Sequence, residues 1–121
     1  VHDLHEGRYG LTQQEFFDQL RADDLHVTSD LIHMDGTKLM GRWSDLTGED
    51  YAGSTDDYIL RYTQEFRGSF GHVSLLGPTD FIMPLIGGTP GSPYPSDGLK
   101  LMYLDSINAL GEIGGFLHPY T

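Results

Sequence analysis

Cysteine is absent from the 121 residues, which excludes a disulfide framework and a thiolate metal site. Basic side chains are scarce: 7 Lys and Arg stand against 18 Asp and Glu, a formal net charge of −11. Nucleic acid and anionic membranes both require a basic face, so neither is expected as a partner. No apolar run approaches the ~20 residues that cross a bilayer. Repeats, heptads and low-complexity tracts are also missing. The length suits about one small domain and falls short of a complete eight-stranded (βα) barrel of roughly 250 residues. The chain opens on Val1 with no signal-like segment, so localisation is not readable, and both ends read as cut.

Glycine (16), proline (6) and histidine (6) are what the chain does have. Thr12-Gln13-Gln14-Glu15 is a capping box, with Leu11 and Phe16 placed as a hydrophobic staple. Phe16, Phe17 and Leu20 follow at helical spacing, so the pattern predicts a helix from about Gln13 to Ala22. Leu25 to Ile32 reads as a strand. His33 to Asp57 reads mostly as loop, long enough to be either functional or tied down elsewhere. Tyr58 to Phe66 and His72 to Gly77 read as strands, with Arg67 to Gly71 as the turn between them. Pro78 to Gly98 holds five of the six prolines and reads as irregular. Leu99, Met102, Tyr103, Ser106, Ile107 and Leu110 form one helical stripe, capped by Gly111. Gly114 to His118 reads as a short buried strand stopped by Pro119. This order of elements predicts an α/β sheet or part of a barrel.

Histidines fall at the ends of these strands. His2 follows a strand end, His72 begins a strand after a glycine turn, and His118 ends one. In parallel α/β architectures functional side chains converge at strand carboxyl ends. Neutral imidazole is the commonest ligand for Zn²⁺, Mn²⁺ or Fe²⁺, and Glu65 adds a carboxylate that is costly to bury alone. Each residue also has a plainer reading. His118 fits a core histidine, His2 and His5 fit a solvated segment, His26 fits a structural strand residue, and His33 fits either a ligand or a loop.

These segments together resemble the PHP (polymerase and histidinol phosphatase) superfamily, and most closely its CehA/McbA-type metallohydrolase branch. Val1-His2 looks like the last two residues of the family's opening Asp-x-His-x-His strand, with Asp3-Leu4-His5 as a rival register. Gly7-Arg8-Tyr9 and the helix start at Thr12-Gln13 fall at matching spacing. Gln64-Glu65-Phe66 and Gly71-His72-Val73-Ser74-Leu75-Leu76-Gly77 are similar to its glutamate and Gly-His segments. Gly114-Gly115-Phe116-Leu117-His118-Pro119 looks like its closing strand. The second-strand Asp-His pair is matched only loosely, by Leu31-Ile32-His33-Met34-Asp35.

The resemblance implies one partial domain, residues 1–121, of a distorted (βα)7 barrel. It implies His2, Glu65, His72 and His118 as metal ligands, with His33 as a further candidate, and Glu65 and His72 as the catalytic pair. The cofactors would be divalent ions (Zn, Mn or Fe), two or three in the complete domain. The expected activity is hydrolysis of an ester, amide, carbamate or phosphoester of a small molecule by a metal-bound hydroxide. Glu65 would bridge metals rather than act as base, and the chain by itself would be inactive. Arg8, Arg42 and Arg67 are candidates for holding one anionic group. The competing expectation is a non-catalytic PHP-like binding domain with a degenerate site. A Ca²⁺ module is disfavoured, because Asp45, Glu49, Asp50, Asp56 and Asp57 are too scattered for an EF-hand. Oligomeric state is not readable.

Overall fold

The computed structural model describes residues 11–35, 38–68, 71–84, 86–87 and 99–118. Helix α1 spans Gln13–Ala22 and begins on the expected capping box. The Thr12 hydroxyl accepts from the Glu15 amide at 3.2 Å, and the Glu15 carboxylate accepts from the Thr12 amide at 2.8 Å. Two amino-terminal donors that the helix cannot satisfy internally are thereby bonded. Phe16, Phe17 and Leu20 are the buried face.

The sheet is built around β3 (Ile59–Gly68). Strand β1 (Val27–Asp35) runs parallel to it, from Val27 opposite Ile59 to Ile32 opposite Gln64. Beyond Ile32, β1 pairs instead with β2 (Lys38–Met40) as an antiparallel hairpin, His33 opposite Met40. Along the other edge of β3 runs β4 (Gly71–Leu76), antiparallel, with Glu65 opposite Ser74 and Arg67 opposite His72. The two-residue β5 (Ile86–Gly87) pairs in parallel with Arg67 and Gly68, past the point where β1 has left. Helix α2 (Leu99–Ala109) leads to β6 (Ile113–His118), which closes the path antiparallel to β4. The strand order is β2-β1-β3-β4-β6, with β5 on β3. The architecture is thus mixed α/β, with β1, β3 and β6 pointing one way and β2 and β4 the other.

Alternation along β3 divides the sheet into two faces. Leu60, Tyr62 and Phe66 turn to the helices. Leu60 and Tyr62 pack with Phe16, Phe17, Leu20 and Ile32, and Phe66 packs with Val73, Leu75, Tyr103 and Ile107. Each such fully buried apolar side chain stabilises the fold by roughly 1.5–3 kcal/mol. Phe66 and Tyr103 stack with ring centroids 4.2 Å apart. Consequently Thr63, Glu65 and Arg67 belong to the opposite face.

Several expectations need correction. Residues 33–57 are not mostly loop from their start, because β1 continues to Asp35 and is followed by β2. The remainder is tied down as expected, by Tyr51 N–H donating to the Leu60 carbonyl at 2.7 Å and by Arg61 pairing with Asp50 at 2.8 Å. Arg67 is a strand residue, not part of the turn, since β3 runs to Gly68. His26 precedes β1 rather than lying in it, and stacks on Tyr58 at 4.8 Å. On α2 the buried stripe is Tyr103 and Ile107, whereas Met102 and Leu110 are exposed. Gly111 does take a positive φ, +76°, after α2. The opening segment with His2, His5 and Arg8, and residues 88–98, lie outside the described residues.

Candidate functional site

Because β1, β3 and β6 are codirectional, their carboxyl ends share one edge of the sheet, and β4 starts there. That edge receives His33 from β1, Glu65 and Arg67 from β3, His72 from β4 and His118 from β6. The pairing of Ile32 with Gln64 makes His33 the next residue alongside Glu65. The β4–β6 register sets His118 opposite His72, just after a bulge. Four of the five residues expected as metal ligands therefore meet at one end of the sheet. The fifth, His2, lies outside the described residues.

Glu65 is the centre of this group. Its side chain is 0% exposed. His72 Nδ1 stands 2.5 Å from Glu65 Oε1, and His33 Nδ1 stands 3.7 Å from Oε2. Arg67 Nε lies 3.6 Å from Oε1, and its side chain is 19% exposed. Burial pushes the Glu65 carboxyl up to about 7, while the nearby Arg67 guanidinium opposes the rise. A carboxyl group poised near neutrality can exchange a proton, or gain a cation, within the physiological range.

His33 is oriented by its own strand. Its Nδ1 lies 3.1 Å from the Leu31 carbonyl, an acceptor to which Nδ1–H donates. That bond selects the tautomer with the lone pair on Nε2. An imidazole held by a backbone carbonyl through one nitrogen is the usual arrangement for a ligand that binds through the other. His33, whose neighbourhood matches the family pattern only loosely, is thus brought beside Glu65, although less closely than His72. What sets it beside Glu65 is the parallel register of β1 on β3, which no local motif encodes.

Two imidazoles and a carboxylate form a donor set suited to Zn²⁺, Mn²⁺ or Fe²⁺. As they stand, no three His, Cys, Asp or Glu side chains among the described residues are disposed around a single metal position. Two donors on one tetrahedral ion with ~2.0 Å bonds stand roughly 3.3 Å apart, whereas Glu65 and His72 are at 2.5 Å. Accepting an ion requires that pair to open by about an ångström.

The sequence passes Arg67 off as a turn residue, yet it is the arginine that β3 delivers to this cluster. Arg42 is elsewhere, preceding the 3-10 turn Trp43–Asp45. Compared with protein-family models, with curated proteins and with solved structures, the chain finds no match in any of the three.

Proposed function

We propose that this sheet edge is the metal-binding part of a hydrolase of the PHP type, its strands forming an arc of a distorted (βα)7 barrel. The observation that carries the reading is a fully buried glutamate set between two histidines at one sheet edge, where the parallel β1 and β3 end and the antiparallel β4 begins. A buried carboxylate in such a place is expensive, and a divalent cation is a partner its neighbours are chemically equipped to share. His33 and His72 would hold the ion through their imidazoles and Glu65 through its carboxylate. His118, opposite His72, and His2 complete the proposed set.

When bound, the ion supplies an activated water and an electrophile for the carbonyl or phosphoryl group of a small-molecule substrate. The chain's own residues do the rest. Leu31 fixes the His33 tautomer, burial excludes bulk water, and Glu65 would hold the cation as its carboxylate. Arg67 supplies positive charge beside the reacting group.

A second reading, a non-catalytic binding domain with a degenerate site, is favoured by the close Glu65–His72 approach. Zinc titration of the chain, with Glu65→Ala alongside, separates the two. The hydrolase reading expects at least one ion per chain and loss of that ion in the variant. A stoichiometry below one, or equal uptake by Glu65→Ala, supports the binding domain and removes the hydrolase.

A further inference from the structure

We propose that the cleft at the amino end of β3, on the sheet face turned away from the helices, binds a small organic ammonium ion. The apolar body of that ligand lies against Val27, Ile59, Leu76 and Ile113, and its cation meets Glu112. The site is at the opposite end of β3 from Glu65 and does not depend on the metal reading.

The cleft exists because β4 stops short. β4 pairs with β3 only from Gln64 onward, and earlier in β3 Arg61 is bridged by Asp50 instead. The opening holds a cavity of about 370 Å³, within the roughly 300–1,000 Å³ usual for small-molecule sites. Two strand pairs wall it. Val27 stands opposite Ile59 where β1 and β3 begin to pair, and Leu76 stands opposite Ile113 where β4 ends and β6 begins. Thr63, buried, closes the inner end of the cleft, two residues short of Glu65 on the same face.

Access is shown by exposure. Val27 is 76% exposed and Ile113 68%, while Ile59 and Leu76 are half-buried behind them. A single exposed aliphatic side chain needs no explanation, but four of them around one cavity mark a contact surface.

Charge selects the occupant. Arg61 and Asp50 both line the cleft, but they answer each other, with Nε and Nη2 of Arg61 each 2.8 Å from Asp50 Oδ1. Glu112 is what remains. It is exposed, and among the described residues no basic side chain pairs with it. Its carboxylate rests against Gly77, which also lines the cleft, and a Cβ at that position would overlap it. Glycine at 77 thus leaves the space that the carboxylate takes in the cavity wall. A purely apolar molecule entering here strips water from Glu112 and gives nothing back, and an anion adds a like charge. An ammonium group joined to an apolar body suits both walls at once. The net charge of −11 favours the approach of such a cation and opposes that of an anion.

The test follows the full chain by NMR, with chelator present, during titration with n-hexylammonium and separately with 1-hexanol and hexanoate at matched ionic strength. Hexylammonium is expected to saturate one site and to shift the Val27, Ile59 and Ile113 methyl signals. It should bind roughly two- to fivefold more tightly than hexanol, the size of a partly exposed ion pair, and hexanoate should bind more weakly than either. Glu112→Gln should bring hexylammonium down to the affinity of hexanol and leave hexanol unchanged. Ile113→Ser should weaken both ligands several-fold, and Val27→Ser serves if that variant fails to fold. Asp105→Asn removes an equal charge from the exposed side of α2 and should leave hexylammonium affinity unchanged. Absence of a saturable shift at these methyls, or hexanoate binding as tightly as hexylammonium, overturns the inference. So does undiminished hexylammonium affinity in Glu112→Gln, or an equal loss in Asp105→Asn.

Discussion

Glu65→Gln should make the metal-free protein more stable, and by an amount that grows with pH. In the unfolded chain Glu65 titrates near 4.5, and in the folded protein burial moves it to about 7. Between those values the folded state holds a proton that the unfolded state has released. Unfolding free energy must therefore fall as pH rises through that window. At about 1.4 kcal/mol per pH unit, the loss approaches 3 kcal/mol above pH 7. Gln has the same shape and no charge to desolvate, so the variant escapes the loss. The two proteins should differ little in slope below pH 4.5, diverge from there to about pH 7, and run nearly parallel above it. For a domain of this length 3 kcal/mol corresponds to roughly 10 °C in Tm. Urea unfolding at half-unit intervals from pH 4.5 to 8, with chelator present, reads the difference directly. A constant offset reflects altered hydrogen bonding to His72 or His33 and does not bear on the argument; the slope does. A stability difference independent of pH, or a wild type that gains on the variant towards pH 8, would refute the claim that Glu65 is buried at an electrostatic cost.

The other expectations concern the scaffold. Thr12→Ala removes the α1 cap and should lower stability by about 1 kcal/mol, seen as a shift of the urea midpoint at unchanged m-value. Gln64 is 0% exposed and bonds both the Ile82 amide and carbonyl at 2.8 Å. Gln64→Leu strands both groups and should cost roughly 2–4 kcal/mol, measurable by the same assay. Gly77 has φ +106°, and a Cβ there would collide with the Glu112 carboxylate. Gly77→Ala should destabilise by more than about 1 kcal/mol, and Glu112→Ala should recover the steric part but not the backbone part in a double-mutant cycle.

The sequence was most legible where structure is local. The α1 cap needs four consecutive residues, and Thr12 to Glu15 state it completely. β3 and β4 were readable because apolar positions alternate or run together between glycines. The β1–β2 hairpin is hidden in the sequence, although Asp35-Gly36 is a recognised turn pair, because the long polar stretch after it carries no strand periodicity. β5 was out of reach, since two residues carry no periodicity and form a strand only because β1 vacates the edge of β3. On α2, Met102 and Leu110 fit the stripe by spacing, but the sheet beneath touches a narrower face. At the candidate site, Glu65 and His72 stood out as polar residues in apolar strands. Their meeting with His33 was not readable, because it follows from a parallel register between strands more than twenty residues apart.

The most direct test of the central claim, that His33, Glu65 and His72 hold one divalent ion together, is X-ray absorption on the zinc-loaded chain. The account predicts a first shell of nitrogen and oxygen only, at roughly 2.0–2.1 Å, with scattering from at least two imidazoles. His33→Ala and His72→Ala should each remove one imidazole. A shell without imidazole, or one that neither substitution alters, would contradict it.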